Sequence, residues 1–187
     1  MKFSALSLVL MVVISSNFAK ANMQLEISPI IAYEKIQILR PTVHSKERFS
    51  YGASISTGIP LVSIEGTYLQ GQSTDKFPLP EDPSAIKVTT QRAMVGLKSE
   101  IRFFSLMSFV ARAGGHALRQ TELETFLDGS SAKHIEPDKI SPYAGAGFIF
   151  NFFGKFRFFM DAKGIFEKNS TNKPSWLISS GFTIKLP

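Results

Sequence analysis

Apolar and polar residues alternate along most of the chain, in runs of about ten residues, the period of a half-buried β-strand. In the first run Leu25, Ile27, Ile31 and Tyr33 share one face, with Glu26, Ser28 and Glu34 on the other and Pro29 as an irregularity. Phe49, Tyr51, Ala53 and Ile55 then oppose Arg48, Ser50, Gly52 and Ser54. Val62, Ile64, Gly66 and Tyr68 oppose Ser63, Glu65 and Thr67. Ala93, Val95, Leu97 and Ile101 oppose Arg92, Met94, Gly96, Lys98 and Glu100. The second half repeats the scheme. Met107, Phe109, Ala111, Ala113 and Ala117 oppose Ser108, Arg112, Gly114 and His116. Ala144, Ala146, Phe148, Phe150 and Phe152 oppose Tyr143, Gly145, Gly147 and Asn151. Phe156, Phe158, Met160 and Ala162 oppose Lys155, Arg157, Asp161 and Lys163. Trp176, Ile178, Phe182, Ile184 and Leu186 oppose Ser179, Gly181, Thr183 and Lys185. No window sustains helical spacing.

The connections between these runs alternate too. Residues 35–47, 70–87, 119–139 and 167–175 make longer links. Thr57-Gly58-Ile59-Pro60, Phe103-Phe104-Ser105 and Phe153-Gly154 make tight ones. An even number of strands with one elaborated and one trimmed end predicts an all-β fold, an eight-stranded antiparallel up-and-down barrel. Two versions compete. A soluble lipocalin-like binding barrel puts its apolar face inward, and a transmembrane barrel puts it on lipid. The runs suit a bilayer, which tilted strands of ~9–11 residues cross. The polar face mixes Gly and Ser with a few charges, unlike a water-facing surface. Aromatic side chains collect at two levels: Tyr33, Phe49, Tyr68, Phe166 and Trp176 near the long links, and Phe103, Phe104, Phe152, Phe153 and Phe156 near the short ones. These read as the two girdles of a membrane barrel. Phe109 and Phe148 are placed near mid-strand.

Residues 1–21 stand apart. Lys2, the apolar stretch from Ala5 to Ile14 and the small-x-small Ala19-Lys20-Ala21 make a secretory signal peptide, leaving 22–187 as the barrel domain. Together the leader, the eight runs and the link alternation resemble small bacterial outer-membrane β-barrels of the OmpA and OmpX type. The resemblance is architectural and spans 22–187. It implies an outer-membrane location, contact with outer-membrane lipids and lipopolysaccharide, and delivery by the barrel-insertion machinery. Such proteins commonly end on an aromatic residue read by that machinery. Here Phe182, Ile184 and Leu186 keep the alternation, but the given chain ends on Pro187.

Composition narrows the function. Hydrophobic residues make up 44% of the 187 and charged residues 19%, which excludes intrinsic disorder. Cysteine is absent, so disulfides, thiolate metal sites and a cysteine nucleophile are excluded. The net charge of +6 raises nucleic acid as a partner. Yet link 119–139 is net acidic and 70–87 slightly so, and no exposed basic stripe with aromatic platforms exists, so nucleic-acid binding is dismissed. The charges instead fall on the inward face: Arg92, Lys98, Arg112, Arg157, Lys163 and Lys185 against Glu26, Glu65, Glu100 and Asp161. A charge network in so narrow a lumen either plugs it or lines a wet interior. His44-Ser45 with Glu47 is a poor catalytic constellation, because neighbours on an extended chain point opposite ways. No cofactor motif, metal-ligand spacing or phosphate loop appears. The reading is a non-enzymatic outer-membrane barrel with a structural or surface-interaction role, whose links 70–87 and 119–139 are offered to an extracellular partner. A small pore or hydrophobic-ligand transport barrel, for which the wall glycines leave gaps, is the alternative.

Overall fold

A computed structural model describes residues 24–38, 44–59, 61–76, 84–153, 156–166 and 175–186. The leader, Pro187 and the centres of three long links lie outside these. Nine strands are present among the described residues: β1 (Gln24–Ile38), β2 (His44–Ile59), β3 (Val62–Lys76), β4 (Ala85–Phe104), β5 (Met107–Thr125), β6 (Ser131–Ile135), β7 (Lys139–Phe153), β8 (Phe156–Ile165) and β9 (Ser175–Leu186). Eight form a closed ring in the order β1-β2-β3-β4-β5-β7-β8-β9, and β9 pairs back onto β1. Every pairing is antiparallel. An even strand number lets an up-and-down chain close this way without a parallel seam.

The faces follow the alternation. Ile31, Leu97 and Phe182 are about 60% exposed (60%, 58% and 59%), whereas Glu34 and Arg157 on the opposite face are 0% and 1% exposed. The outer wall is apolar on all eight ring strands, from Leu25 and Ile27 on β1 to Ile178 and Ile184 on β9. A soluble monomer does not present a continuous apolar belt to water, and at ~25 cal/mol per Å² that exposure would be prohibitive. The lipocalin-like alternative fails on this point, and the barrel is a transmembrane one.

Pro29 lies outward and in phase, but the β1–β9 ladder is interrupted at Ser28 and Pro29 and resumes in unchanged register at Ile30↔Gly181. Two expectations need correction. Phe109 is not near mid-strand. It stands two residues from the start of β5 and meets Phe103 edge-on at 6.4 Å and Phe148 at 6.0 Å, near the short-turn rim. Phe148 is close to the centre of β7 but is the registered partner of Phe109.

Links 70–87 and 119–139, expected as loops, are mostly strand. β4 and β5 have 20 and 19 residues, well beyond what a bilayer needs. β3 and β4 stay paired up to Lys76↔Ala85, and β4 and β5 up to Ala85↔Thr125. β5 keeps β7 as its partner only to Leu118↔Lys139, then takes β6 from Thr121↔Ile135 to Thr125↔Ser131. The result is a four-stranded sheet, β3-β4-β5-β6, rising above one side of the ring. Its tip at 126–130 turns through Gly129, whose φ of +82° suits glycine. Hydrogen bonds from Ser130 close the turn and hold the Asp128 carboxyl below the ordinary carboxylate range.

Charge sorts by face in this sheet, beside the buried, inward Ile86 and Val88 of β4. Gln72, Lys76, Lys87, Arg119 and Lys133 point outward and are exposed, while Glu122 and Glu124 point inward and are buried. The net acidic sum read from the sequence hides this sorting by face.

Candidate functional site

Inward residues recur every second position, so each strand feeds a column of side chains into the bore. Three ionic tiers result. At the top, Glu34 on β1 is fully buried and accepts from Arg48 Nε at 2.7 Å, Arg92 Nε at 2.5 Å and Ser50 Oγ at 2.6 Å. Arg48 also donates to Thr90, and Arg92 Nη1 lies 2.9 Å from His116 Nε2. Gly71 makes room for this tier: a Cβ there would stand 2.5 Å from Ser50 Oγ and 3.0 Å from Glu34 Oε1.

In the middle, Arg112 on β5 bonds Glu65 on β3 at 2.9 Å and Asp161 on β8 at 2.5 Å, and its guanidinium lies over the Phe159 ring at 5.4 Å. Lys163 reaches Asp161 at 2.6 Å and Ser179 Oγ at 2.8 Å, and Ser179 donates to Asp161. At the short-turn end Glu26 accepts from Lys98 at 2.6 Å and from Arg157, with Lys185 3.8 Å away. Arg157 also binds both oxygens of Glu100 at 2.8 Å.

These bonds cross the bore. β1 and β4, joined by Glu34–Arg92 and Glu26–Lys98, are three places apart in the ring of eight, as are β4 and β8, joined by Glu100–Arg157. Between the tiers the interior is apolar: Ile30, Leu69, Met94, Val110, Ile149 and Phe159 are buried inward. The inward glycines leave no gaps. A Cβ at Gly145 would meet Lys163, at Gly147 Asp161, and at Gly181 Phe159. All ten charged residues singled out from the sequence lie inside the bore, and the tiers join them.

Arg92 nonetheless pairs with Glu34, which the sequence reading left out of the network together with Arg48, His116 and Ser179. The signal was present, since Glu34 and Arg48 were on the inward face.

Of the aromatic residues, Phe49, Tyr68, Phe103, Phe104, Phe152, Phe156, Phe166 and Trp176 are exposed on the outer wall. Tyr33 is partly covered, packs edge-on against Phe49 at 5.6 Å and donates to Glu47. The side chains of His44, Ser45 and Phe153 lie outside the described residues.

Lys163 beside Ser179 has the atoms of a nucleophile and its base, but Asp161 engages both and the pair is buried. Among the described residues no cluster of three or more His, Asp or Glu is arranged to hold a metal ion. No helix among the described residues is long and apolar enough to cross a membrane.

The structure is similar to solved small eight-stranded outer-membrane barrels. Neisserial surface protein A aligns at 15% identity and TM-score 0.56, covering 89% of this chain and 98% of that one. OprG of Pseudomonas aeruginosa aligns at 11% and 0.56, covering 89% and 97%. Ail, the attachment invasion locus protein of Yersinia pestis, solved in complex with the heparin analogue sucrose octasulfate, aligns at 14% and 0.55, covering 88% and 100%. No protein-family model matches the chain, and no curated protein matches it in sequence. The likeness is one of fold: an eight-stranded transmembrane β-barrel of the outer-membrane type.

Proposed function

We propose that the protein is a non-enzymatic outer-membrane barrel with a closed lumen, working through its wall and its extracellular sheet. The carrying observation is the set of ion pairs that cross the bore at three levels. A barrel sealed in this way has only its rims and outer surface with which to act. Residues 1–21 direct export as a cleaved leader, and the barrel-insertion machinery places the domain with both ends of the strand ring in the periplasm. The exposed aromatic residues at the two rims then sit at the two membrane interfaces.

In that orientation the β3-β4-β5-β6 sheet stands in the extracellular layer. Its outer face continues the lipid-facing wall upward, so its neighbours are lipid headgroups. Lys76, Lys87 and Lys133 on that face make no ion pair among the described residues, while Arg119 is held by Asp138 through two bonds of 2.8 Å. Three free ammonium groups beside an outer leaflet fit the phosphates of lipopolysaccharide. The triple change Lys76→Gln, Lys87→Gln and Lys133→Gln is expected to weaken lipopolysaccharide binding about 100-fold, from about 1 kcal/mol per lysine. Purified protein titrated with lipopolysaccharide at two salt concentrations measures this. Equal affinity for wild type and variant removes the lipid role from this face.

Orientation has its own check. Chymotrypsin added to intact cells is expected to cut at Phe126 or Leu127, in the exposed tip, and to spare Leu61 in the short turn. Cleavage at Leu61 alone reverses the assignment.

A further inference from the structure

We propose that the short-turn mouth of the lumen binds a small polyanion, a solute carrying phosphate or carboxylate groups. A half-open cavity of about 410 Å³ lies there, within the size range of small-molecule sites. Glu26, Lys98, Glu100, Arg102 and Lys185 supply its charged lining, with Ile59 and Leu61 at the lip.

The charges around this cavity do not balance. Three lining cations, Lys98, Arg102 and Lys185, and the buried Arg157 behind them meet two carboxylates, Glu26 and Glu100. Both carboxylates are committed: Glu26 to Lys98 and Arg157, and Glu100 to Arg157 through both oxygens. Arg102 has no carboxylate partner among the described residues, although it lies in the same inward column of β4 as Lys98 and Glu100. Lys185 reaches Glu26 only at 3.8 Å and otherwise donates to the neutral Gln24 at 3.0 Å. An excess of two positive charges is therefore concentrated at the mouth.

β4 and β9, which carry Arg102 and Lys185, are opposite one another in the ring. A ligand bridging them spans the opening. The planar guanidinium suits two oxygens of one phosphate or carboxylate, and the ammonium adds a point charge for a second group. Of the neutral lining groups, Gln24 accepts from Lys185 through its carbonyl oxygen, which leaves its amide N–H groups to meet the ligand. The site lies below the lowest tier, so it needs no opening of the lumen.

The test uses the whole barrel in phosphate-free micelles, with the Arg102 side-chain Nε–Hε resonance followed by NMR. Pyrophosphate and citrate are titrated separately. A saturable shift is expected, with the tighter probe naming the ligand's anionic group. The double variant Arg102→Gln/Lys185→Gln, followed by calorimetry with the same probes, is expected to bind at least tenfold more weakly. Arg119→Gln, at the opposite rim, is expected to bind as wild type. No saturable shift with either probe, or equal binding by the double variant, overturns the proposal and leaves the closed lumen above it untouched.

Discussion

Glu34→Gln is expected to destabilise the barrel by about 3–5 kcal/mol, the cost of removing one partner from a buried ion pair. Glu34 is fully buried and is the carboxylate that Arg48 and Arg92 both bind. The amide keeps the shape and loses the charge, so two guanidinium groups face each other in a low-dielectric bore with no anion between them. Replacing the arginines as well is expected to recover much of the loss, because an apolar substitute for a whole buried ionic group is often neutral. Equilibrium urea unfolding in lipid or detergent, followed through Trp176 fluorescence, measures both. A loss below about 1 kcal/mol for the single variant means water reaches this tier and the charges only line a wet interior.

Leu97→Arg is expected to cost about 2–4 kcal/mol, the penalty for an arginine on the lipid face at the bilayer midplane. Leu97 is exposed on the outer wall midway along the apolar stretch of β4, between Ala93 and Phe103. Phe109→Arg is expected to cost about 0–1 kcal/mol, because near the short-turn rim the guanidinium reaches the headgroup layer. Phe148→Arg, at the registered partner of Phe109 across the β5–β7 pair, should behave as Phe109→Arg does. Unfolding of the three variants in the same bilayer tests the depth dependence. Equal costs at Leu97 and Phe109 would mean that the apolar belt is centred elsewhere.

The strands and their faces were legible because lipid imposes a strict period: every second residue from Leu25 to Leu186 either meets acyl chains or does not. Closure followed from the even number of runs and the long and short links. The extent of the strands was not legible above the membrane. At Thr121-Glu122-Leu123-Glu124-Thr125 neither face is purely apolar, so the hydrophobic pattern fades while the hydrogen-bond ladder continues. That is why the alternation does not reveal β6. The apolar filling of the bore was hidden for a related reason. Ile30, Met94, Ile149 and Phe159 look like lapses of alternation in a single strand and become a packed layer only when the ring brings them together. Ion-pair partners were the least legible feature. Alternation assigns a residue to the inside, but whether Arg92 meets Glu34 or Glu65 depends on the stagger around the ring, which no single run encodes.

The closed lumen is tested most directly by recording purified wild-type protein in planar bilayers. Cross-bore ion pairs at three levels and an apolar layer between them predict insertion without a stable open level. Any brief leak should favour anions, because the short-turn mouth carries the excess of Lys and Arg. Large, stable, cation-selective steps from the wild-type protein would contradict both the seal and the sign of its charge.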